Sequence, residues 1–116
     1  MIREIKFRAW IISKKELVDW NKLNDMMSQE IPIFDQQQQE IELMQYTGLT
    51  DKNGKDIYEG DIVIQVGLEL EVKWDDFDSG FVFEDWTGSQ MIMSPKIALD
   101  YEVIGNIYEN PELIKV

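Results

Sequence analysis

The sequence predicts a small, mainly β protein, built as a barrel or roll with helices only at its margins. Short stretches of alternating apolar and polar residues follow one another closely beyond residue 41, and residues 68–74 alternate most cleanly. Turn signals that contain glycine separate these stretches, most strongly at residues 51–54. A chain of 116 residues, 44% of them hydrophobic, is long enough to bury a core of its own.

The N-terminal pattern predicts a strand over residues 2–12. One face would hold Ile5, Phe7, Ala9 and Ile11, and the other Lys6, Arg8 and Trp10. The next stretch has two interpretations. Residues 13–16 have the Ser-x-x-Glu form of a helix capping box, which favours a helix on local signals. The same residues suit the loop of a hairpin whose second strand runs to Trp20.

The chain divides, by composition, into three parts. We expect an N-terminal hairpin and helix subdomain over residues 1–35, a glutamine-rich linker over residues 36–40, and a β body over residues 41–116. The body should end in a short helix, because Asn110 precedes Pro111 as a cap precedes a first helical turn. Residues 60–63, Gly-Asp-Ile-Val, are similar to the opening of a strand in SH3-like barrels.

Charge is unevenly distributed along this chain, whose net charge is −12 at pH 7. Residues 1–22 contain six basic and three acidic residues, whereas the remaining 94 contain five basic and twenty acidic residues. Such a body repels phosphate backbones, which argues against nonspecific nucleic-acid binding by the whole surface. The acidic surface either keeps the protein soluble or faces a basic partner, as an imitation of DNA would.

Two residue types are missing, and their absence excludes several kinds of chemistry. A chain without cysteine has no disulfides, thiolate metal sites or cysteine nucleophiles, which fits a reducing compartment. A chain without histidine lacks the usual proton shuttle near neutral pH. No apolar stretch approaches the ~20 residues of a membrane span, and the first residues lack the apolar block of a signal peptide. We therefore predict no membrane association.

Three stretches of the chain, at residues 6–10, 43–63 and 102–113, together resemble the YopX family of small proteins encoded by bacteriophages and prophages. They include Phe-Arg-Ala-Trp near the start and Thr-Gly-Leu-Thr-Asp-Lys-Asn-Gly-Lys in the middle, whereas residues 17–42 and 75–100 match little. The resemblance implies a phage or prophage protein of the bacterial cytoplasm that self-associates. It also implies a hairpin through Trp20 followed by a short helix near residues 21–27. No catalytic residues are implied.

An acidic cluster is the first candidate for a functional site, because several carboxylates together can bind a divalent cation. It consists of Asp75, Asp76, Asp78, Glu84 and Asp85. Phe77 and Phe81 occupy positions at which a calcium loop needs a ligand or a glycine, so we interpret the cluster as a solvated turn. A serine nucleophile paired with lysine is offered only by Ser94 and Lys96, and their closeness in sequence is no evidence of geometry.

Aromatic residues are abundant for this length. We expect most of the tryptophans and tyrosines in the core, and an exposed group of them would anchor a protein interface or stack on bases. The set comprises Trp10, Trp20, Trp74, Trp86, Tyr46, Tyr58, Tyr101 and Tyr108.

Three functions compete on this evidence. We favour a non-enzymatic phage accessory protein that binds a host or phage protein, or further copies of itself, through aromatic and acidic surface. The alternative is a nucleic-acid regulator, and the least favoured is a metal-dependent hydrolase that uses the acidic cluster. The regulator would need one basic strip formed by Arg3, Lys6, Arg8, Lys14, Lys15 and Lys22. We assign no catalytic, cofactor-binding or metal-binding residues and expect no cofactor.

Overall fold

A computed structural model describes residues 4–28 and 41–114 of the chain. The chain forms two compact units, Met1–Tyr46 and Thr47–Val116. The described residues hold nine strands, two short α-helices and one 3-10 helix, so the prediction of a mainly β protein is confirmed. The predicted linker over residues 36–40 lies outside the described residues. In the described ranges, no helix has the length and apolar character needed to cross a membrane.

The first unit begins with a hairpin and a helix. Strand β1 (Phe7–Ile11) pairs antiparallel with β2 (Glu16–Val18), and helix α1 (Trp20–Ser28) follows directly. The helix begins here because the Asp19 carboxylate accepts a hydrogen bond from the Lys22 amide at 2.9 Å, as an N-cap does. The hairpin and helix implied by the family resemblance are therefore present, with the second strand ending before Trp20.

The core of this unit lies between the hairpin and α1. Ala9, Ile11, Val18 and Leu23 are buried together, with Phe7 and Trp20 packed at the edge. Ile5, which the alternating pattern assigned to the same face, is exposed.

Arg8 is buried, although the alternation along β1 places it on the face opposite Ala9 and Ile11. Its neighbour in the sheet is buried as well. Strand β3 (Ile41–Thr50) pairs antiparallel with β1 and places Met44 directly opposite Arg8, and Met44 is itself buried. Directly paired residues share a face of the sheet. This face of β1 is therefore covered as well, which alternation within one strand does not show.

The second unit is built on a five-stranded antiparallel sheet in the order β8-β7-β6-β5-β9. The strands are β5 (Asp61–Gln65), β6 (Leu68–Asp75), β7 (Gly80–Glu84), β8 (Gln90–Ile92) and β9 (Glu102–Asn106). Strand β4 (Asp56–Tyr58) instead lies beside the end of β3, where the Thr47 hydroxyl donates to the carbonyl of Ile57 at 2.7 Å.

One face of this sheet forms the core of the second unit. The pairs Val63–Leu70 and Val72–Phe83 lie directly opposite each other on neighbouring strands, and all four side chains are buried. Tyr101 stacks on Phe83 with ring centroids 4.5 Å apart. The alternation predicted over residues 68–74 is confirmed in the middle of the strand, where Leu70 and Val72 are buried, whereas Leu68 and Trp74 at its ends are exposed.

A short helix, α2 (Pro95–Ala98), stands where the sequence pattern indicated only a break at Pro95. The Ser94 hydroxyl accepts a hydrogen bond from the Ile97 amide at 3.2 Å and caps the helix. Proline is tolerated in the first helical turn, since its missing N–H has no partner there. Ser94 is thus a cap, and its hydroxyl supplies no evidence for a nucleophile.

The C-terminal helix is a single 3-10 turn, Pro111–Ile114. The side chain of Asn110 does not cap it in the predicted way. Its Oδ1 instead accepts a hydrogen bond from the backbone amide of Asn106 at 3.2 Å, and the Asn106 Oδ1 accepts from the amides of Tyr108 and Glu109. The two asparagines therefore hold the turn that links β9 to the 3-10 helix.

Residues 51–55 form the predicted turn, and a buried carboxylate organises it. The Asp51 Oδ1 accepts hydrogen bonds from the amides of Asn53 and Lys55 at 2.8 and 2.9 Å, and Oδ2 accepts from Val103 at 2.9 Å. Burial alone would raise the pKa of Asp51, but these three amides outweigh it and hold the pKa below its usual value. Gly54 completes the turn with a φ of +79°.

Candidate interaction surface

The five carboxylates of the acidic cluster are not brought together. Asp75, Asp76 and Asp78 lie at the β6–β7 turn, whereas Glu84 and Asp85 lie at the far end of β7, a strand of five residues that spans roughly 17 Å. Across the parts of the chain that the structure describes, no three carboxylate, imidazole or thiol groups are arranged to hold a metal ion. The five carboxylates therefore belong to two separate turns and form no single site.

The β6–β7 turn carries exposed aromatic side chains. Phe77 is 94% exposed and Trp74 is 44% exposed. Trp74 packs edge-on against Phe81, with centroids 5.1 Å apart, and its indole N–H donates to Asp76 at 2.9 Å. We call Trp74, Phe77 and the three aspartates of this turn the aromatic tip.

The aspartates of the aromatic tip bond locally. The Asp75 carboxylate accepts a hydrogen bond from the Asp78 amide at 3.2 Å. A hydrogen bond to the Asp75 carboxyl is the main cause that raises the pKa of Asp78 above its usual value. The tip therefore concentrates negative charge around two aromatic rings.

At the other end of β7, Asp85 organises the turn into β8. Its Oδ1 accepts hydrogen bonds from the Thr87 hydroxyl and from the amides of Thr87 and Ser89, at 2.5, 2.9 and 3.1 Å. The Thr87 hydroxyl is the largest influence that lowers the pKa of Asp85. This carboxylate is thus ionised and fixed in position at neutral pH.

Beside this turn lies a cleft of about 470 Å³, which sequence reasoning missed. We call it the acidic cleft. Its lining includes Leu68, Glu69, Glu71, Glu84, Asp85 and Trp86. The indole of Trp86 is 65% exposed.

Two glutamates of the acidic cleft face each other across the sheet. Glu71 on β6 lies directly opposite Glu84 on β7. Lys73 forms an ion pair with Glu84 at 2.5 Å. Burial is the main cause that raises the pKa of Glu71; Lys73 acts against it and Glu84 adds to it. The sequence shows Glu69 and Glu71 on one face of a strand, but only the register brings Glu84 to them.

The basic residues of the N-terminal region do not form one exposed strip. Arg8 is buried, Lys6 pairs with Glu4 at 3.3 Å and lies over the Tyr46 ring, and Lys22 pairs with Glu16 at 2.7 Å. Lys14 and Lys15 are exposed at the β1–β2 turn, and Arg3 lies outside the described residues. The surface needed by the nucleic-acid alternative is therefore broken up.

Fewer of the eight tryptophans and tyrosines are buried than the sequence predicted, because four of them, Trp10, Trp20, Tyr58 and Tyr108, are only half-buried. Tyr46 and Tyr101 are buried, Trp20 packs against Phe7, and Trp74 and Trp86 are exposed.

The comparisons with known proteins agree with this fold. A family model described as "YopX protein" matches residues 6–115, which is nearly the whole chain. Among solved structures, the chain is similar to one titled "Crystal structure of protein EF1440 from Enterococcus faecalis", with 25% sequence identity and a TM-score of 0.73. The similarity covers 98% of this chain and 100% of that one. A search of curated proteins gave no match.

Proposed function

The chain belongs to the YopX family, and on that premise we propose that it is a non-enzymatic, protein-binding accessory module of a phage or prophage, acting in the bacterial cytoplasm. The observation that supports this proposal best is the aromatic tip. A phenylalanine that is 94% exposed at a turn gains nothing from the fold of its own chain. Aromatic side chains of this kind are the usual anchors of protein interfaces.

The charge around the tip favours a basic partner. Residues 47–116 contain five basic and fifteen acidic residues, and three of the acids surround the aromatic rings of the tip. Complementary charge speeds association and excludes partners of the same sign. Binding should therefore weaken as salt is raised, because exposed charges are screened beyond about 8 Å at physiological ionic strength.

The polar groups considered for catalysis support a non-enzymatic role. Among the described residues, the Asp85 carboxylate and the Ser94 hydroxyl hold a turn and a helix cap, and the Asp76 carboxylate accepts from Trp74. Groups engaged in this way hold backbone or side chains of the protein itself rather than a substrate.

The test is capture of partners from bacterial lysate with the tagged protein, with and without nuclease, followed by mass spectrometry. We expect a stoichiometric protein that survives nuclease, is retained by Val66→Ser and is lost with Phe77→Ser. Val66 is the matched control, since it is also an apolar side chain fully exposed at a turn. Recovery that disappears with nuclease would contradict the proposal and favour the nucleic-acid alternative.

We also propose that the protein self-associates, as the family resemblance implies. Strand β8 lies at the edge of its sheet and exposes Met91 and Ile92. An exposed apolar edge is a template for pairing with another copy, which a lysine blocks. Sedimentation should show a species heavier than 13.7 kDa that Ile92→Lys dissociates. A wild-type protein that sediments as a monomer would contradict self-association.

A further inference from the structure

We propose that the acidic cleft binds a lysine or arginine side chain presented by a basic segment of a partner polypeptide. The proposal rests on the protein-binding function above, and adds to it a second contact with a defined chemistry. The acidic cleft and the aromatic tip lie at opposite ends of β7, so the two surfaces can be tested separately.

The carboxylates that line the cleft are only partly neutralised by basic side chains. Glu71 and Glu84 are directly opposed, and like charges in such a pair repel each other. Lys73 neutralises Glu84 by an ion pair, whereas Glu69 and Glu71 add two further carboxylates. A cationic side chain entering the cleft would relieve this repulsion and form charge-assisted hydrogen bonds, which are the stronger class.

The rim of the cleft can contact the aliphatic stem of a lysine or arginine side chain and the face of its cationic group. The Trp86 indole is exposed, and an indole face attracts ammonium and guanidinium groups. Leu68 and Ile114 offer apolar surface on which the methylene stem of lysine or arginine can pack. A volume of about 470 Å³ holds one long side chain with the backbone that presents it.

Two other occupants fit less well. A divalent cation needs several converging oxygens, and the described residues contain no such group. A nucleic acid would bring phosphates towards four carboxylates, which repel it. Only an organic cation with an apolar stem matches both the floor and the rim.

The test is a titration of the full chain, labelled with ¹⁵N, with the synthetic peptide acetyl-Gly-Arg-Gly-Arg-Gly-amide at low ionic strength. We expect saturable shifts in the indole N–H signal of Trp86, which Trp86→Phe identifies. The amides of residues 67–71 and 84–86 should shift as well, and the Trp74 indole should not. Glu71→Gln should weaken the affinity about tenfold through the loss of one charge-assisted contact.

Asp78→Asn is the matched control, because it removes the same charge at the aromatic tip. Its affinity should stay within about twofold of wild type. Equal weakening by both variants, shifts spread over the whole acidic surface, or no shift at all would overturn the cleft proposal. Since Phe77 lies outside the cleft, capture that depends on Phe77 but not on Glu71 would leave the proposed function standing while the cleft proposal fails.

Discussion

The carboxylate of Asp51 accepts a hydrogen bond from the backbone amide of Val103 at 2.9 Å, across 52 residues of sequence. Its other oxygen holds the turn that follows, and the side chain is 1% exposed. The same residue lies in the stretch that resembles the YopX family. In the stretch that most resembles the family, this carboxylate therefore holds backbone amides in place.

Asp51→Ala should destabilise the protein by about 3 kcal/mol, because it leaves three backbone amides, the buried one of Val103 among them, without their charged acceptor. The measurement is urea unfolding followed by tryptophan fluorescence. Asp100→Ala removes an exposed aspartate three residues before Val103 and should change the unfolding free energy by less than about 0.5 kcal/mol. Similar losses in the two variants would show that the bonds to Asp51 do not stabilise the fold.

Glu71→Gln should stabilise the protein at pH 7. Burial raises the pKa of Glu71, so the folded state binds this proton more tightly than the unfolded state does. Its ionisation therefore lowers stability as pH rises from the unfolded pKa of about 4.3 through the folded pKa. The gain from glutamine should disappear below about pH 4, where both states are protonated.

The Asp51 carboxyl should make stability depend on pH in the opposite direction, which provides an internal contrast to Glu71. Its pKa is lowered, so its contribution is present above the unfolded pKa and is lost as pH falls through the folded pKa. Unfolding of wild type, Glu71→Gln and Asp51→Asn between pH 3 and 8 should separate the two groups. A gain from Glu71→Gln that is equal at both ends of this range would refute the role of its charge.

Val66→Asn should stabilise the protein by about 1 kcal/mol. Val66 and Gly67 are the two central residues of the β5–β6 turn, with φ values of +51° and +79°. A β-branched residue is strained there, whereas asparagine is among the residues preferred in such turns. Thermal unfolding provides the measurement. Val66→Thr keeps the branched side chain and should gain nothing, so a gain of equal size would exclude relief of strain as the cause.

Gly105→Ala should destabilise the protein by about 2 kcal/mol through overpacking. An added Cβ would lie 2.8 Å from Cγ of Asn110, whose side chain is held by the Asn106 amide. In an Asn110→Ala background the same change should cost at least about 1 kcal/mol less, because the obstructing group is gone. A double-mutant cycle without this coupling would contradict the proposed clash.

Much of the fold was predictable because its signals are local. The alternation over residues 68–74 depends on burial of one strand face, and the turn at residues 51–54 depends on Gly54 with its positive φ. The hairpin before α1 was different, since residues 13–16 suit both a capping box and a hairpin loop. Only the family resemblance favoured the hairpin there. Helix α2 was missed because Pro95 breaks a helix in its interior but starts one in its first turn.

The candidate sites were less predictable, because they depend on which strands lie side by side. Asp78 and Glu84 are six residues apart in sequence, yet β7 separates them. Glu71 and Glu84 are thirteen apart, yet they lie opposite each other. Arg8 is a further case, because its neighbour Met44 on β3 is buried with it. The sequence of one strand shows which residues share a face. Which residues of neighbouring strands lie beside them depends on how the sheet is assembled.

The acidic cleft draws its residues from positions 67–71, 84–86 and 114, outside the three stretches by which the chain resembles its family. If the cleft binds as proposed, recognition depends on residues outside the three stretches that hold the turns of the scaffold. Substitutions in the cleft can alter what is recognised without disturbing Asp51, Gly54 or the asparagine-held turn. Such a division would let one stable architecture present different recognition residues.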